Sequence, residues 1–387
     1  MRIEETGEIG HNLVIRWSDG TENNYSAIWL RDNDPSSFDP DTRERVFDLL
    51  SVEMEILPSN IELADDGASV CITWPDRNEA SRFEANWLWQ HRPGTLLRGS
   101  DRFQRTLWGA EMQDGLPTAM TADIISDPSA KLEFLNRLTT HGIAIVSGLG
   151  QDENAGINFA ESIGPLRNSN FGIRFDVKSK PSPNNLAYTS HHLPLHTDLP
   201  NQEIPPGFQF LHCIMNEAEG GNSTFCDGLK IASDLELYDP KTFQMLRDTP
   251  IPYRFHDTTT DLMSHRPVFV AGPDGQIDMV VFNPHIAAPF DMSAEVVANY
   301  YPAWRTMMAM SRSSDYIIET RLKSGDMVIF DNRRVLHGRT MFDPQTGQRF
   351  LRGCYVDHHD IASQMRTLGK QVQATSDCCG AERCSPN

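Results

Sequence analysis

The chain has 387 residues, enough for two or three domains at roughly 150 residues each. Hydrophobic residues make up 39% and charged residues 22%, a mixture that can bury a sizeable core and that excludes collagen, coiled coil and a wholly disordered chain. Acidic residues outnumber basic ones 53 to 34, for a formal net charge of −19, which argues against nucleic acid or an anionic membrane surface as a partner. No apolar run is long enough for a transmembrane helix. The acidic start MRIEETGEIGHN does not read as a secretory signal. The seven cysteines are odd in number and irregular in spacing. These features predict reduced thiols in a cytoplasmic protein.

Residues 1–95 read as a small β-rich domain. Leu13–Trp17 is a short apolar run followed by the turn Ser18-Asp19-Gly20. Val52–Leu57 alternates as a half-buried strand would. Ser69–Trp74 is a further apolar run, closed by Pro75-Asp76. Residues 96–120, rich in Arg and Gly with weak periodicity, read as a linker. A second domain is expected over 121–370. Ser129–Thr140 has helical spacing, and His141-Gly142 stops it. Ile143–Val146, Gly207–Cys213 and Asp326–Phe330 read as buried strands, and Glu295–Met310 as the longest helix. Long loops are expected over 164–205 and 250–275, where sites often lie. Residues 371–387, with Cys378, Cys379 and Cys384, read as a mobile polar tail.

The most informative local feature is Leu193-Pro194-Leu195-His196-Thr197-Asp198. Side chains two residues apart share a face of an extended segment, so His196 and Asp198 can bind one metal ion. His337, in Val335-Leu336-His337-Gly338-Arg339 just after a buried strand, is the natural third ligand. Two imidazoles and a carboxylate leave half of an octahedral shell open, as non-haem Fe(II) oxygenases require. Taken alone, His-x-Asp is weak, because a loop histidine beside a turn-forming Asp looks the same. The cluster Arg349-Phe350-Leu351-Arg352-Gly353-Cys354-Tyr355 strengthens it, since arginine binds carboxylates bidentately and suits a dicarboxylate cosubstrate.

Together with Trp29-Leu30-Arg31-Asp32-Asn33, Trp74-Pro75-Asp76, Asn185–Thr189, Leu211-His212-Cys213, Gly220–Ser223 and Phe330–His337, these motifs span nearly the whole chain. The sequence resembles the γ-butyrobetaine hydroxylase-like branch of the TauD family of Fe(II)/2-oxoglutarate dioxygenases. The resemblance implies a mainly β fold with helices: a double-stranded β-helix (jelly-roll) catalytic core plus the small N-terminal domain. It implies His196, Asp198 and His337 as iron ligands, and Arg349 and Ser223 as contacts of 2-oxoglutarate. It also implies O2 as second cosubstrate and ascorbate as a supporting reductant. The reaction implied is decarboxylation of 2-oxoglutarate to succinate and CO2, coupled to hydroxylation of an unactivated C–H bond. Members of this branch are often dimers, so a homodimer is an expectation.

The same resemblance implies an aromatic cage for a trimethylammonium group. Phe171, Phe175, Tyr188 and Tyr355 stand at the matching positions. Such a cation cannot donate hydrogen bonds and is held by cation–π attraction. Asn185 and Asn283 match residues placed near the substrate anion. Two departures stand out. Relatives bind a structural zinc in the N-terminal domain through three Cys and one His, whereas this chain has Asp34, Ser36, Asp39 and Asn78 there. No structural zinc is expected, because soft thiolates select it. The pocket region also carries His191, His192 and His285. Imidazole can donate to phosphonate oxygens, so the substrate expectation leans to 2-(trimethylammonio)ethylphosphonate, hydroxylated next to phosphorus. The alternative is γ-butyrobetaine, hydroxylated to carnitine. Competing classes are a non-catalytic quaternary-ammonium binding protein and a metal-dependent hydrolase.

Overall fold

The computed structural model describes residues 1–94, 103–178 and 186–382, without the side chains of 187 and 376–382. The chain divides into two compact units, Met1–Arg102 and Phe103–Asn387.

The first unit contains two three-stranded antiparallel sheets. One orders Ile3–Ile9, Asn12–Trp17 and Glu22–Ser26; the other orders Asn60–Ala64, Ser69–Thr73 and Ser81–Glu84. Alternate residues of these strands, among them Leu13, Ile15, Val70 and Ile72, meet Trp17, Trp74 and Phe83 in one core. Val52–Leu57 is not a strand. Ile56 is buried and Val52 packs partly against the same core, while Met54 and Leu57 are exposed, and Ile56 N–H closes a turn on the Glu53 carbonyl. Alternation without a partner strand makes no ladder.

Of the four positions where the resemblance expects zinc ligands, Asp34, Ser36 and Asp39 have hydrogen-bonded side chains. The fully buried Asp34 carboxylate accepts from Trp74 Nε1 at 2.9 Å, Arg77 at 3.0 Å, and the backbone and hydroxyl of Ser36. Asp39 accepts from the backbone of Asp41 and Thr42, and Asn78 is exposed.

In the second unit, two sheets form the jelly roll. The larger orders Thr118–Met120, Ile143–Ser147, Met327–Asp331, Phe208–Asn216, Arg349–Val356 and Arg174–Val177. The smaller orders Leu193–His196, Val335–Arg339, Ser223–Asp227 and Ile317–Thr320. Period-two alternation sorts each strand's residues. On the larger sheet Phe208, Phe210, Cys354 and Val356 pack outward onto the helix Pro128–His141 and the start of His358–Glu382. Gln209, Leu211 and Tyr355 point the other way, into a cavity. On the smaller sheet Leu195, Cys226 and Leu336 join the core built with the helices Gly228–Tyr238 and Ala294–Ser311.

The helix Pro128–His141 begins where Asp127 accepts from Ser129 N–H, with Pro128 at its first position, and ends at Gly142 with φ +73°. Three expectations are corrected. Residues 103–120 are not a free linker: Trp108 is buried, its backbone N–H donates to Asp227 and its indole to the His141 carbonyl. The segment 250–275 holds the hairpin Ile251–His256/Asp261–Arg266 and the strand Phe269–Ala271. The longest helix is His358–Glu382 rather than Ala294–Ser311, and it carries through most of the expected tail. Cys384 lies outside the described residues. Cys71, Cys213, Cys226 and Cys354 are free thiols, and no helix among the described residues is long and apolar enough to cross a membrane.

Candidate active site

The site is built where the two sheets face each other. Leu193–His196 pairs antiparallel with Val335–Arg339, and His196 is the register partner of His337. Directly opposed residues project to the same face, so the two imidazoles meet with ring centroids 4.4 Å apart. Asp198 follows two residues later. Asn332 holds its backbone from both sides: Asp198 N–H donates to Asn332 Oδ1 at 2.6 Å, and Asn332 Nδ2 donates to the Asp198 carbonyl at 3.1 Å. Its carboxylate then lies 3.4 Å from His196 Nε2 and 3.5 Å from His337 Nε2.

One ligand atom from each of the three residues lies within 4.8 Å of the others. This donor set fits Fe(II): two imidazoles and one carboxylate, all on one side. His196 Nδ1 sits 2.9 Å from the Pro194 carbonyl. A proton there leaves the Nε2 lone pair for metal. Tyr355 donates its hydroxyl to Asp198 Oδ2 at 2.7 Å. Burial pushes the Asp198 carboxyl up, but His337 and His196 outweigh it and hold it well below the usual range.

Beside the triad the cavity encloses about 300 Å³. Its polar end holds Arg349, Arg339 and Ser223. Arg349 is 8% exposed, and it finds no carboxylate or carbonyl partner among the described residues. Burial and the neighbouring Arg339 push its guanidinium down to about 9. A buried cation without an anion is costly, so this end fits a carboxylate ligand. Gly221, at φ +68°, leaves room for it: a Cβ there would lie 3.0 Å from Arg349 Nε.

The other end is aromatic. Phe171 meets Phe255 edge-on at 5.3 Å, Phe175 lies tilted on Tyr355 at 5.2 Å, and Tyr188 completes the wall. Gly353 opposes Phe175 across the strands Arg349–Val356 and Arg174–Val177; a Cβ there would lie 2.5 Å from the ring.

All four aromatic positions read from the sequence line this cavity, with Asn283 and His285. Asn283 is already occupied: its Nδ2 donates to the Thr197 carbonyl and its Oδ1 accepts from His285 N–H. Burial, with His196 beside it, pushes the His285 imidazole down to about 4. His191 and His192 are a correction. Both are exposed and neither lines the cavity; the His191 carbonyl instead accepts from Arg339. Asn185 lies outside the described residues. Sequence reasoning missed Phe255, Asn201 and Gln209, which line the cavity, and the clamp made by Asn332. Asn332 stands inside a motif read from the sequence; Phe255 sits in a segment taken for loop, where only an aromatic in an alternating run could have signalled it.

A jelly roll carrying this triad and a buried, unpaired arginine defines an Fe(II)/2-oxoglutarate-dependent dioxygenase. Comparison with known proteins makes the assignment specific. The family model "Taurine catabolism dioxygenase TauD, TfdA family" matches residues 101–355, and "Gamma-butyrobetaine hydroxylase-like, N-terminal" matches residues 6–89. The chain belongs to the TauD family. It is 36% identical over 371 residues to a gamma-butyrobetaine dioxygenase of Pseudomonas sp. (strain AK-1), covering 95% of this chain and 96% of that one. It is 30% identical to the gamma-butyrobetaine dioxygenase of Homo sapiens, covering 94% of this chain and 96% of that one. It is 28% identical to the mitochondrial trimethyllysine dioxygenase of Gallus gallus, covering 94% and 87%.

Proposed function

We propose that this enzyme hydroxylates a small trimethylammonium zwitterion, and that the substrate is γ-butyrobetaine. The observation that carries the reading is the aromatic wall of Phe171, Phe175, Phe255, Tyr188 and Tyr355 in the same cavity as the metal triad. An ammonium bearing three methyl groups offers no N–H to a polar pocket, but it is held by ring faces. Relatives named for trimethylammonium substrates support the same class.

Of the three histidines that pointed to a phosphonate, only His285 lines the cavity; His191 and His192 are exposed and do not line it. The relatives named gamma-butyrobetaine dioxygenase favour the carboxylate.

Fe(II) with 2-oxoglutarate, when bound, supplies O2-dependent decarboxylation coupled to C–H hydroxylation. The chain does the rest. His196, Asp198 and His337 would hold the metal on one face, and Tyr355 steadies the Asp198 carboxylate through its hydroxyl. Arg349 would take the far carboxylate of 2-oxoglutarate, with Ser223, from the other sheet, lining the same cavity. The aromatic wall excludes water and fixes the ammonium, so that one carbon of the substrate faces the metal.

The test is succinate formation with Fe(II), 2-oxoglutarate, ascorbate and O2, comparing γ-butyrobetaine with 2-(trimethylammonio)ethylphosphonate. One oxygen added to γ-butyrobetaine, with matching succinate, is the expected result. Turnover of the phosphonate alone would replace the substrate and keep the class. No coupled turnover with any trimethylammonium compound would end the reading.

A further inference from the structure

One cavity-lining side chain has no partner at all. Asn201 is 2% exposed, and both its Nδ2 and its Oδ1 lack a hydrogen bond among the described residues. A buried carboxamide with both ends unmet is costly unless a ligand meets it. The nearby Asn283 is different, because Thr197 and His285 already occupy both of its ends.

The backbone holds Asn201 in place deliberately. Leu199, directly after the metal ligand Asp198, adopts φ +55°, a left-handed conformation that a leucine rarely takes. Gln202 N–H closes the turn on the Leu199 carbonyl. The hairpin strand Asp261–Arg266 pins that turn on both sides of Asn201: Ser264 Oγ and Arg266 Nε donate to the Pro200 carbonyl, and Arg266 donates to the Gln202 carbonyl at 2.7 Å. Asn201 also borders a surface groove with Arg167 and Gln202, so it stands in the wall between cavity and groove. An unusual backbone held by several outside bonds, with an unmet amide in the cavity wall, is the pattern of a preorganised ligand contact.

We propose that Asn201 is a substrate-orienting residue whose Nδ2 donates to the anionic group of the zwitterion, while the aromatic wall holds the ammonium end. This inference rests on the trimethylammonium-zwitterion reading above. Held at both ends, the substrate cannot swivel, and the carbon presented to the metal is fixed by the spacing between its two charges.

The experiment measures ligand binding by calorimetry to the Fe(II)- and 2-oxoglutarate-loaded enzyme without O2. The ligands are γ-butyrobetaine and butyltrimethylammonium, which lacks the carboxylate. Asn201→Ala should lose about tenfold to a hundredfold in affinity for γ-butyrobetaine, the effect of one charge-assisted hydrogen bond, and little for butyltrimethylammonium. The near-isosteric Asn201→Asp should lose more for γ-butyrobetaine and should gain for the bare cation. The apparent KM for 2-oxoglutarate should stay unchanged in both variants. Equal losses for the two ligands would make Asn201 a packing residue and overturn the proposal, as would unchanged γ-butyrobetaine affinity. Failure of the wild-type enzyme to bind either ligand would instead overturn the substrate reading itself.

Discussion

Tyr355 does two jobs with one side chain. Its ring lies on Phe175 in the cavity wall, and its hydroxyl donates to the carboxylate of Asp198. Partners behind a metal ligand orient it and tune its basicity. Tyr355→Phe keeps the ring and removes the bond. It is expected to raise the Fe(II) concentration needed for half-maximal activity by about tenfold, with a much smaller change in substrate KM. A metal titration of variant and wild type at saturating 2-oxoglutarate reads both quantities; an unchanged iron requirement would separate Tyr355 from the metal. The ligands themselves were legible in the sequence, because period two puts His196 and Asp198 on one side of an extended segment. The hydroxyl bond was not, because it depends on the strand Arg349–Val356 crossing above Asp198 in space. Asn201 was hidden for a related reason: its aim depends on the left-handed turn at Leu199, and no residue type in Asp198-Leu199-Pro200-Asn201 announces that conformation.

Strands and helices are locked at their ends by polar pairs. Arg334, fully buried, donates to both oxygens of Asp227 and to the Thr140 carbonyl, tying Val335–Arg339, Ser223–Asp227 and the end of the helix Pro128–His141 together. Asp331, at the end of Met327–Asp331, lies 2.7 Å from His358 at the start of the last helix. Burial pushes the Asp331 carboxyl up, but His358 and Arg105 more than reverse this and bring it to about 2. An unfolded aspartate titrates near about 4. The folded value is the lower one, so this pair stabilises above that unfolded value and its contribution disappears as pH falls toward 2. Asp331→Asn should therefore lower Tm at pH 7, and the gap to wild type should shrink between pH 4 and pH 2. A constant gap in melts across that range would assign the loss to packing. The strands Ile143–Ser147, Phe208–Asn216 and Met327–Asp331 were readable because they are buried apolar runs. The hairpin Ile251–His256/Asp261–Arg266 was not, because half of its residues face outward and dilute the signal.

The acidic balance of the chain, −19 overall, makes its few buried cations conspicuous. Among the described residues Arg349 is buried without an anion, in a protein rich in carboxylates, which marks its end of the cavity as reserved for one. In the N-terminal unit the logic runs the other way: Asp34 is a buried anion fully met by Trp74, Arg77 and Ser36. The domain boundary was not legible, since Trp108 and its neighbours carry too little periodicity to reveal that they are packed.

One consequence follows from the pairing of His196 with His337 across adjacent strands. An ion shared by these two residues is a reversible cross-link, a clasp closing a long loop of chain with a single coordination sphere. Such a clasp stabilises the folded state in proportion to the logarithm of free metal over its dissociation constant, and it acts where these two strands pair. Chelating the iron should lower Tm and speed amide hydrogen exchange in Leu193–His196 and Val335–Arg339, while Ile143–Ser147 exchanges as before. If exchange accelerated evenly across both sheets, the clasp would be global rather than local. Occupancy of the metal would then be readable from the fraying of two strands, without any turnover at all.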